Sequence, residues 1–194
     1  MVAIIKYNAG NTKSVENALH RLGVECLITD NPKEIISAEK VIFPGVGEAS
    51  TAMKYLKERA LDKLIISLKQ PVLGICLGQQ LLCKHSEEND TKCLGIFDVE
   101  VKKFPATEIV PHMGWNTLYD CKNTIFEEIK SDAHFYFVHS YYCEISKETV
   151  AICNYILPFS AALQKDNFYA TQFHPEKSAD EGELVLKNFL KCKL

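Results

Sequence analysis

The sequence predicts an α/β fold: a mostly parallel sheet with helices on both faces, and antiparallel strands added in the C-terminal half. Two patterns carry this expectation. In the first half, short continuous apolar runs alternate with amphipathic stretches, as strands buried on both faces and joined by covering helices do. Beyond Leu94 the strand-like runs follow one another without helices between them. No repeat, low-complexity tract or linker divides the chain, so one domain spanning residues 1–194 is expected.

The elements follow in order. Residues 2–7 read as a buried strand, and Gly10-Asn11 turns the chain into a helical pattern with Val15, Leu19 and Leu22 on one face. Residues 24–28 read as the next strand, and Asn31-Pro32 starts a helical turn. Residues 40–43 make a third strand that stops at the loop Pro44-Gly45-Val46-Gly47. Helical patterns run through 52–68, then 71–76 reads as a fourth strand feeding a helix from Leu77 to about His85. The later strand-like runs are 95–101, 135–138, 142–145, 150–156, 161–164 and 168–173. Residues 111–116 read as a loop, and an amphipathic helix over 181–191 closes the chain. In a doubly wound sheet, sites lie at the carboxyl ends of the strands, so the loops at Gly10, Pro44 and Cys76 are expected on one edge.

Composition narrows the function classes. Apolar residues make up 47% and charged residues 24%, which excludes a disordered or collagen-like chain. A net charge of −3 without blocks of either sign offers nothing for nucleic acid or anionic lipid. The longest apolar stretch, 72–78, is far below the roughly 18 to 20 residues that cross a bilayer. The N-terminus lacks the cationic region of a secretion signal, so a cytoplasmic location is the expectation. The 8 cysteines show no C-x-x-C spacing, so most read as small core residues and no metal site is expected.

Gly74-Ile75-Cys76-Leu77-Gly78 has the layout of a nucleophile elbow, a reactive residue at a sharp strand-to-helix turn. Glycines two positions either side leave room where the chain doubles back. The helix beginning there aims its N-terminal dipole at the sulfur, and the Leu77 N–H is a natural oxyanion donor. The five residues alone are equally compatible with an inert buried cysteine near a bend; a base decides. Of the 6 histidines, His85 and His174 have a carboxylate two residues on. His85 falls on the helix that starts at Cys76, too far along it to return. His174 follows an extended run, Pro175 keeps it extended, and residues two apart then share a face, so Glu176 can orient its ring.

Together, Gly74-Ile75-Cys76-Leu77-Gly78-Gln79-Gln80 and His174-Pro175-Glu176 resemble the class I, triad-type glutamine amidotransferases, whose fold is three-layered and flavodoxin-like. Within that class, Gly10-Asn11, Pro44-Gly45-Val46-Gly47, Pro111-His112-Met113-Gly114-Trp115-Asn116 and His139-Ser140-Tyr141 are similar to the glutaminase subunits of imidazole glycerol phosphate synthases, over essentially the whole chain. The resemblance implies hydrolysis of glutamine to glutamate and ammonia through a thioester. The ammonia passes to a (β/α)8-barrel cyclase in a heterodimer of histidine biosynthesis, with no metal or organic cofactor. It implies Cys76 as nucleophile, His174 as base and acid, and Glu176 as its orienter. Leu77 with Val46 and Gly47 would form the oxyanion hole, and Gln80, Glu88, His139, Ser140 and Tyr141 would hold the substrate. Glu88 also reads as part of a solvated loop.

The same resemblance places Asn11, Pro111, His112, Met113, Gly114, Trp115, Asn116, Tyr136 and Lys177 at the cyclase interface. A Trp115 folded back on its own core is the alternative for that loop, and His112 also reads as structural. The glycines of 45–47 permit a peptide flip, so the isolated subunit is expected to be a poor glutaminase until its partner is bound. Two positions and one segment depart from the pattern: Lys6 in place of an acidic residue, Asn8 in place of glycine, and Glu48-Ala49-Ser50 in place of a common Ala-Phe pair after the oxyanion loop. None touches the triad. The competing readings are an amidotransferase subunit for a surface sugar or for pyridoxal phosphate synthesis, a silent regulatory module, and a cysteine peptidase or γ-glutamyl hydrolase on the same architecture.

Overall fold

A computed structural model describes residues 1–8, 10–122 and 124–193. The first half alternates as its apolar runs require: β1 (Val2–Ile5), α1 (Thr12–Arg21), β2 (Cys26–Thr29), α2 (Pro32–Ser37), β3 (Lys40–Gly45), α3 (Ala49–Glu58), α4 (Leu61–Ser67), β4 (Val72–Cys76) and α5 (Leu77–Leu82). Short strands follow: β5 (His85–Ser86), β6 (Thr91–Lys92), β7 (Glu100–Lys103), β8 (His112–Thr117), β9 (His134–His139), β10 (Tyr141–Cys143), β11 (Thr149–Tyr155), β12 (Leu157–Lys165) and β13 (Phe168–Thr171). Helix α6 (Ala179–Lys191) ends the chain.

The main sheet runs β11-β12-β13-β4-β3-β1-β2. Strands β2, β1, β3, β4 and β13 are parallel in that order, the flavodoxin-like winding, and β12 and β11 extend the sheet antiparallel beyond β13. Alternate residues of one strand enter different cores. Ala3, Val41, Phe43 and Val72 join Ile35, Met53, Leu56, Ile65 and Leu81 of α2 to α5, whereas Ile4, Ile42, Leu73 and Ile75 join Val15 and Leu19 of α1 and Val185 and Phe189 of α6. The sheet is therefore the middle of three layers, which is why its strands read as unbroken apolar runs. Two smaller sheets, β10-β7-β5-β6 and the hairpin β8-β9, lie beside the pocket edge.

Several boundaries differ from the sequence reading for identifiable reasons. The helical pattern 52–68 is two helices, because Ala60 adopts the left-handed conformation (φ 55°) between α3 and α4. The helix expected to reach His85 stops at Leu82, and His85 sits on β5. Distance along a helix is therefore not what removes His85 as a base: its two ring nitrogens face Glu100 and Asp90 at 3.0 and 2.8 Å. Within 95–101 only the end is strand. The stretch around Trp115, expected as a loop, is strand β8, paired antiparallel with β9. Its outward Met113 and Trp115 look like loop residues because that face has no cover among the described residues.

Candidate active site

The sheet register brings the chemistry together. Gly45 at the end of β3 lies opposite Cys76 at the end of β4, and Thr171 of β13 lies opposite Ile75 on the other side. The loops after β3, β4 and β13 therefore leave the sheet at one edge, with Cys76 between the other two. Cys76 holds φ 55° and ψ −109°, a strained conformation for a residue with a Cβ, of the kind that costs about 1 to 3 kcal/mol and persists only where neighbours enforce it. The neighbours are visible. A Cβ on Gly78 would run into the backbone carbonyl of Phe43, and one on Gly74 would lie 2.7 Å from Leu82 and 3.0 Å from the Gly78 backbone. Both flanking glycines are thus required by close approach, as the elbow pattern predicts.

His174 is extended (φ −99°, ψ 95°), as the residue before a proline should be. Glu176 reaches it through a one-turn helix over 175–177 and not along an extended strand, so the expected contact forms by a tighter route. The His174 Nδ1 to Glu176 Oε1 distance is 2.8 Å, and both side chains are buried. Because a carboxylate only accepts, Nδ1 carries the proton and Nε2 is the nitrogen left for Cys76. Nε2 has no hydrogen-bond partner among the described residues. Burial opposes the charged ring, but the Cys76 sulfur and the Glu176 carboxylate outweigh it and push the His174 pKa up to about 10. The site therefore favours a protonated His174 ring beside Cys76.

Two residues at the site belong to no motif of the sequence. Gln172 is fully buried, its Nε2 lies 3.6 Å from Cys76 Sγ as an N–H···S donor, and its Oε1 accepts from Gln80 Nε2 at 2.9 Å. It stands two residues before His174, so the same period-2 argument that picks Glu176 also picks it. Tyr7, also buried, donates from its hydroxyl to the Pro44 carbonyl at 2.7 Å and fixes the base of the glycine loop. Burial, then the nearby Cys76 sulfur, raises its pKa, so it stays a donor.

In front of Cys76 opens a cavity of about 370 Å³. Every residue expected at an oxyanion or substrate position lines it: Val46, Gly47, Leu77, Gln80, Glu88, His139, Ser140 and Tyr141. Gln80 also donates to the Tyr141 carbonyl at 3.1 Å. Glu88 is half-buried; one carboxylate oxygen accepts from the Ala49 N–H at 2.7 Å, and burial raises its pKa against that bond.

The interface candidates divide. Met113 and Trp115 are 66% and 53% exposed, which rejects the alternative that Trp115 folds onto its own core. Trp115 stands edge-on to its cross-strand neighbour Tyr136, with ring centres 6.0 Å apart. Lys177 is exposed and Asn11 half-buried, while Pro111 lines the cavity and Asn116 is half-buried. Gly114 has φ 137°. His112 is buried, so its side chain is not part of any exposed face. Among the described residues no group of three or more His, Cys, Asp or Glu is arranged to hold a metal ion.

The family described as "Glutamine amidotransferase class-I" matches residues 3–192. The chain is 58% identical over 193 residues to the imidazole glycerol phosphate synthase subunit HisH of Bacteroides fragilis (strain YCH46), covering 98% of each. It is 47% identical over 193 residues to the protein of the same name from Escherichia coli (strain K12), again covering 98% of each. A crystal structure of a glutamine amidotransferase from Thermotoga maritima superimposes with a TM-score of 0.68 at 17% identity, over 98% of this chain and 96% of that one.

Proposed function

The chain belongs to the class I glutamine amidotransferases, and from that premise we propose that it is the glutaminase subunit of an imidazole glycerol phosphate synthase, working with a (β/α)8-barrel cyclase in histidine biosynthesis. The observation that carries the chemistry is the strained Cys76 on the cavity wall together with the buried His174–Glu176 pair, whose ring interacts electrostatically with the Cys76 sulfur.

In this reading the glutamine side chain enters the cavity with its amide carbon against Cys76 Sγ. The sulfur attacks, and the electron pair of the C=O bond moves onto oxygen, facing the Leu77 N–H and a peptide N–H of the 46–47 loop. Collapse breaks the C–N bond as His174 Nε2 hands its proton to the departing nitrogen, and ammonia leaves a thioester. Water then gives a proton back to His174 and attacks the same carbon, and glutamate departs as the sulfur anion re-forms. Gln80, Glu88 and the 139–141 backbone hold the amino-acid end. Glu176 stabilises the imidazolium without taking its proton.

The exposed Met113 and Trp115 stand on the strand that continues from Pro111 at the cavity, which suits a partner that covers the mouth and receives ammonia. Among the described residues no helix is long and apolar enough to cross a membrane. The test is ammonia release and imidazole glycerol phosphate synthesis from L-glutamine, with and without a cyclase. Cys76→Ala is expected to abolish glutamine-dependent synthesis and to leave ammonium-dependent synthesis intact. Glutamine use surviving in that variant would overturn the assignment, as would equal turnover of γ-glutamyl peptides by the wild type.

A further inference from the structure

A chain of side-chain hydrogen bonds runs from the hairpin that bears Trp115 to the wall of the cavity, and its direction can be deduced. His139 Nδ1 lies 2.7 Å from the Tyr141 carbonyl oxygen, which can only accept, so His139 carries its proton on Nδ1. A neutral His139 then offers Nε2 as an acceptor. His112 Nδ1, 3.0 Å away across the β8-β9 pair, must be the donor. His112 Nε2 is in turn an acceptor, and it receives the Asn116 amide at 3.4 Å. Asn116 is held by its other bonds, Nδ2 to the Asn154 carbonyl at 3.1 Å and Oδ1 from the Thr117 N–H at 2.8 Å. Each member has one allowed role, and all the roles agree.

The rings have little freedom to leave this arrangement. His112 is buried and stacked between Tyr155, with ring centres 4.0 Å apart, and Phe137, at 4.8 Å. Protonating His139 would set two N–H groups against each other at the shared contact, and protonating His112 would set its Nε2–H against the Asn116 amide N–H. Burial acts in the same direction, lowering His112 to about 4 and His139 to about 3. At the far end, the His139 side chain closes over Ser140 onto the carbonyl two residues ahead. That carbonyl also accepts from Gln80, and the Ser140 carbonyl accepts from the Phe104 N–H at 3.1 Å. The bend at Ser140 is thereby held from both sides, and it is the cavity wall facing Cys76.

We infer that His112 is a positioning residue for the substrate: through His139 it sets the conformation of the 139–141 wall against which the amino-acid end of the substrate binds. The inference rests on the glutaminase reading. His112 touches neither the substrate nor Cys76, so its loss acts on binding and not on the chemical step.

The experiment compares wild type, His112→Phe and His112→Asn, each with saturating cyclase, for KM and kcat with L-glutamine. Phenylalanine keeps the aromatic stack and removes the donor; asparagine can place an N–H near the position of Nδ1. His112→Phe is expected to raise KM roughly tenfold, about 1.4 kcal/mol, as loss of a buried donor does, with kcat changed less than about threefold. His112→Asn is expected to restore most of the loss. Independently, nitrogen-15 NMR of the wild type should show His112 and His139 both neutral and both protonated on Nδ1. A folded His112→Phe variant with unchanged KM, or one that loses kcat alone, would overturn the inference. So would a wild-type spectrum placing the His139 proton on Nε2, which decides the matter even if the phenylalanine variant does not fold. Absence of glutamine turnover in the wild-type complex would remove the functional reading itself, and this inference with it.

Discussion

Glu176→Gln isolates the charge that the proposed mechanism places behind His174. The substitution keeps the size of the side chain and a hydrogen-bond acceptor for His174 Nδ1, and removes only the negative charge. In the native site that charge sits 2.8 Å, oxygen to nitrogen, from a buried ring. With charge centres about 4 Å apart and an effective dielectric of about 20, the attraction is about 4 kcal/mol, an upper bound because glutamine still presents a dipole. Losing all of it would lower the proton affinity of the ring, and so the stabilisation of the imidazolium relative to the neutral ring, about 10³-fold, and kcat/KM for glutamine is expected to fall about 10²- to 10³-fold. Replacing His174 by alanine removes the proton carrier itself and is expected to cost more. The assay is ammonia release in the presence of the cyclase, with ammonium-dependent synthesis as the control for an intact complex. A loss below tenfold, or one equal to that of the histidine variant in properly folded proteins, would refute the role given to Glu176.

The pH dependence of stability follows from the raised His174 pKa. A group whose folded pKa lies above its ordinary value of 6.5 stabilises fully below about pH 6.5, and that contribution is lost as pH rises through about 10. The melting-temperature difference between wild type and His174→Gln is therefore expected to shrink between these limits. It should shrink at lower pH in a Cys76→Ala background, where the Cys76 sulfur no longer helps to hold the proton on His174; a pH-independent difference would contradict this. Trp115→Ala is expected to leave the melting temperature of the free protein nearly unchanged, because the ring is 53% exposed, while weakening cyclase binding by roughly 2 kcal/mol. Titration calorimetry with the cyclase beside thermal melting separates the two effects, and a destabilised variant that binds normally would show the ring to be structural.

Local geometry is what the sequence makes legible. Ala3, Ile5, Val41 and Val72 read as strand because both faces of the sheet are covered, and Gly74 and Gly78 mark the elbow because a Cβ cannot fit there. Long-range pairing is less legible. Strand β8 reads as a loop since its exposed Met113 and Trp115 carry no core signal, and only the partner strand β9 makes it extended. His112 stands in the same interface segment but also reads as structural, and alternation along β8 turns it inward, where it is buried. Tyr7 has no local signature at all: its role depends on β1 lying beside β3, a fact of topology.

That topology also explains where the glycine loop is free to move. On one side, Pro44 is held by the Tyr7 hydroxyl and Gly45 is still in register with Cys76. On the other, the Ala49 N–H is held by Glu88, and the Glu48 carboxylate accepts from Ser50, Thr51 and Asn89. Between these anchors lie Val46 and Gly47. Gly47 has φ 120°, a conformation that side chains resist, so a glycine there lets the adjoining peptides rotate where another residue would lock them. In the proposed mechanism, rotation of one such peptide would carry an N–H into or out of the oxyanion position, and removing a donor of that kind typically costs about 10²- to 10³-fold in rate. Val46, at 40% exposure, is at once part of the cavity lining and part of the surface a covering partner would meet. If the 46–47 peptide completes the hole as proposed, a partner that contacts Val46 touches that peptide, and turnover is expected to depend on the partner without any signal having to cross the core. An isolated chain that hydrolysed glutamine as fast as the complex would contradict this.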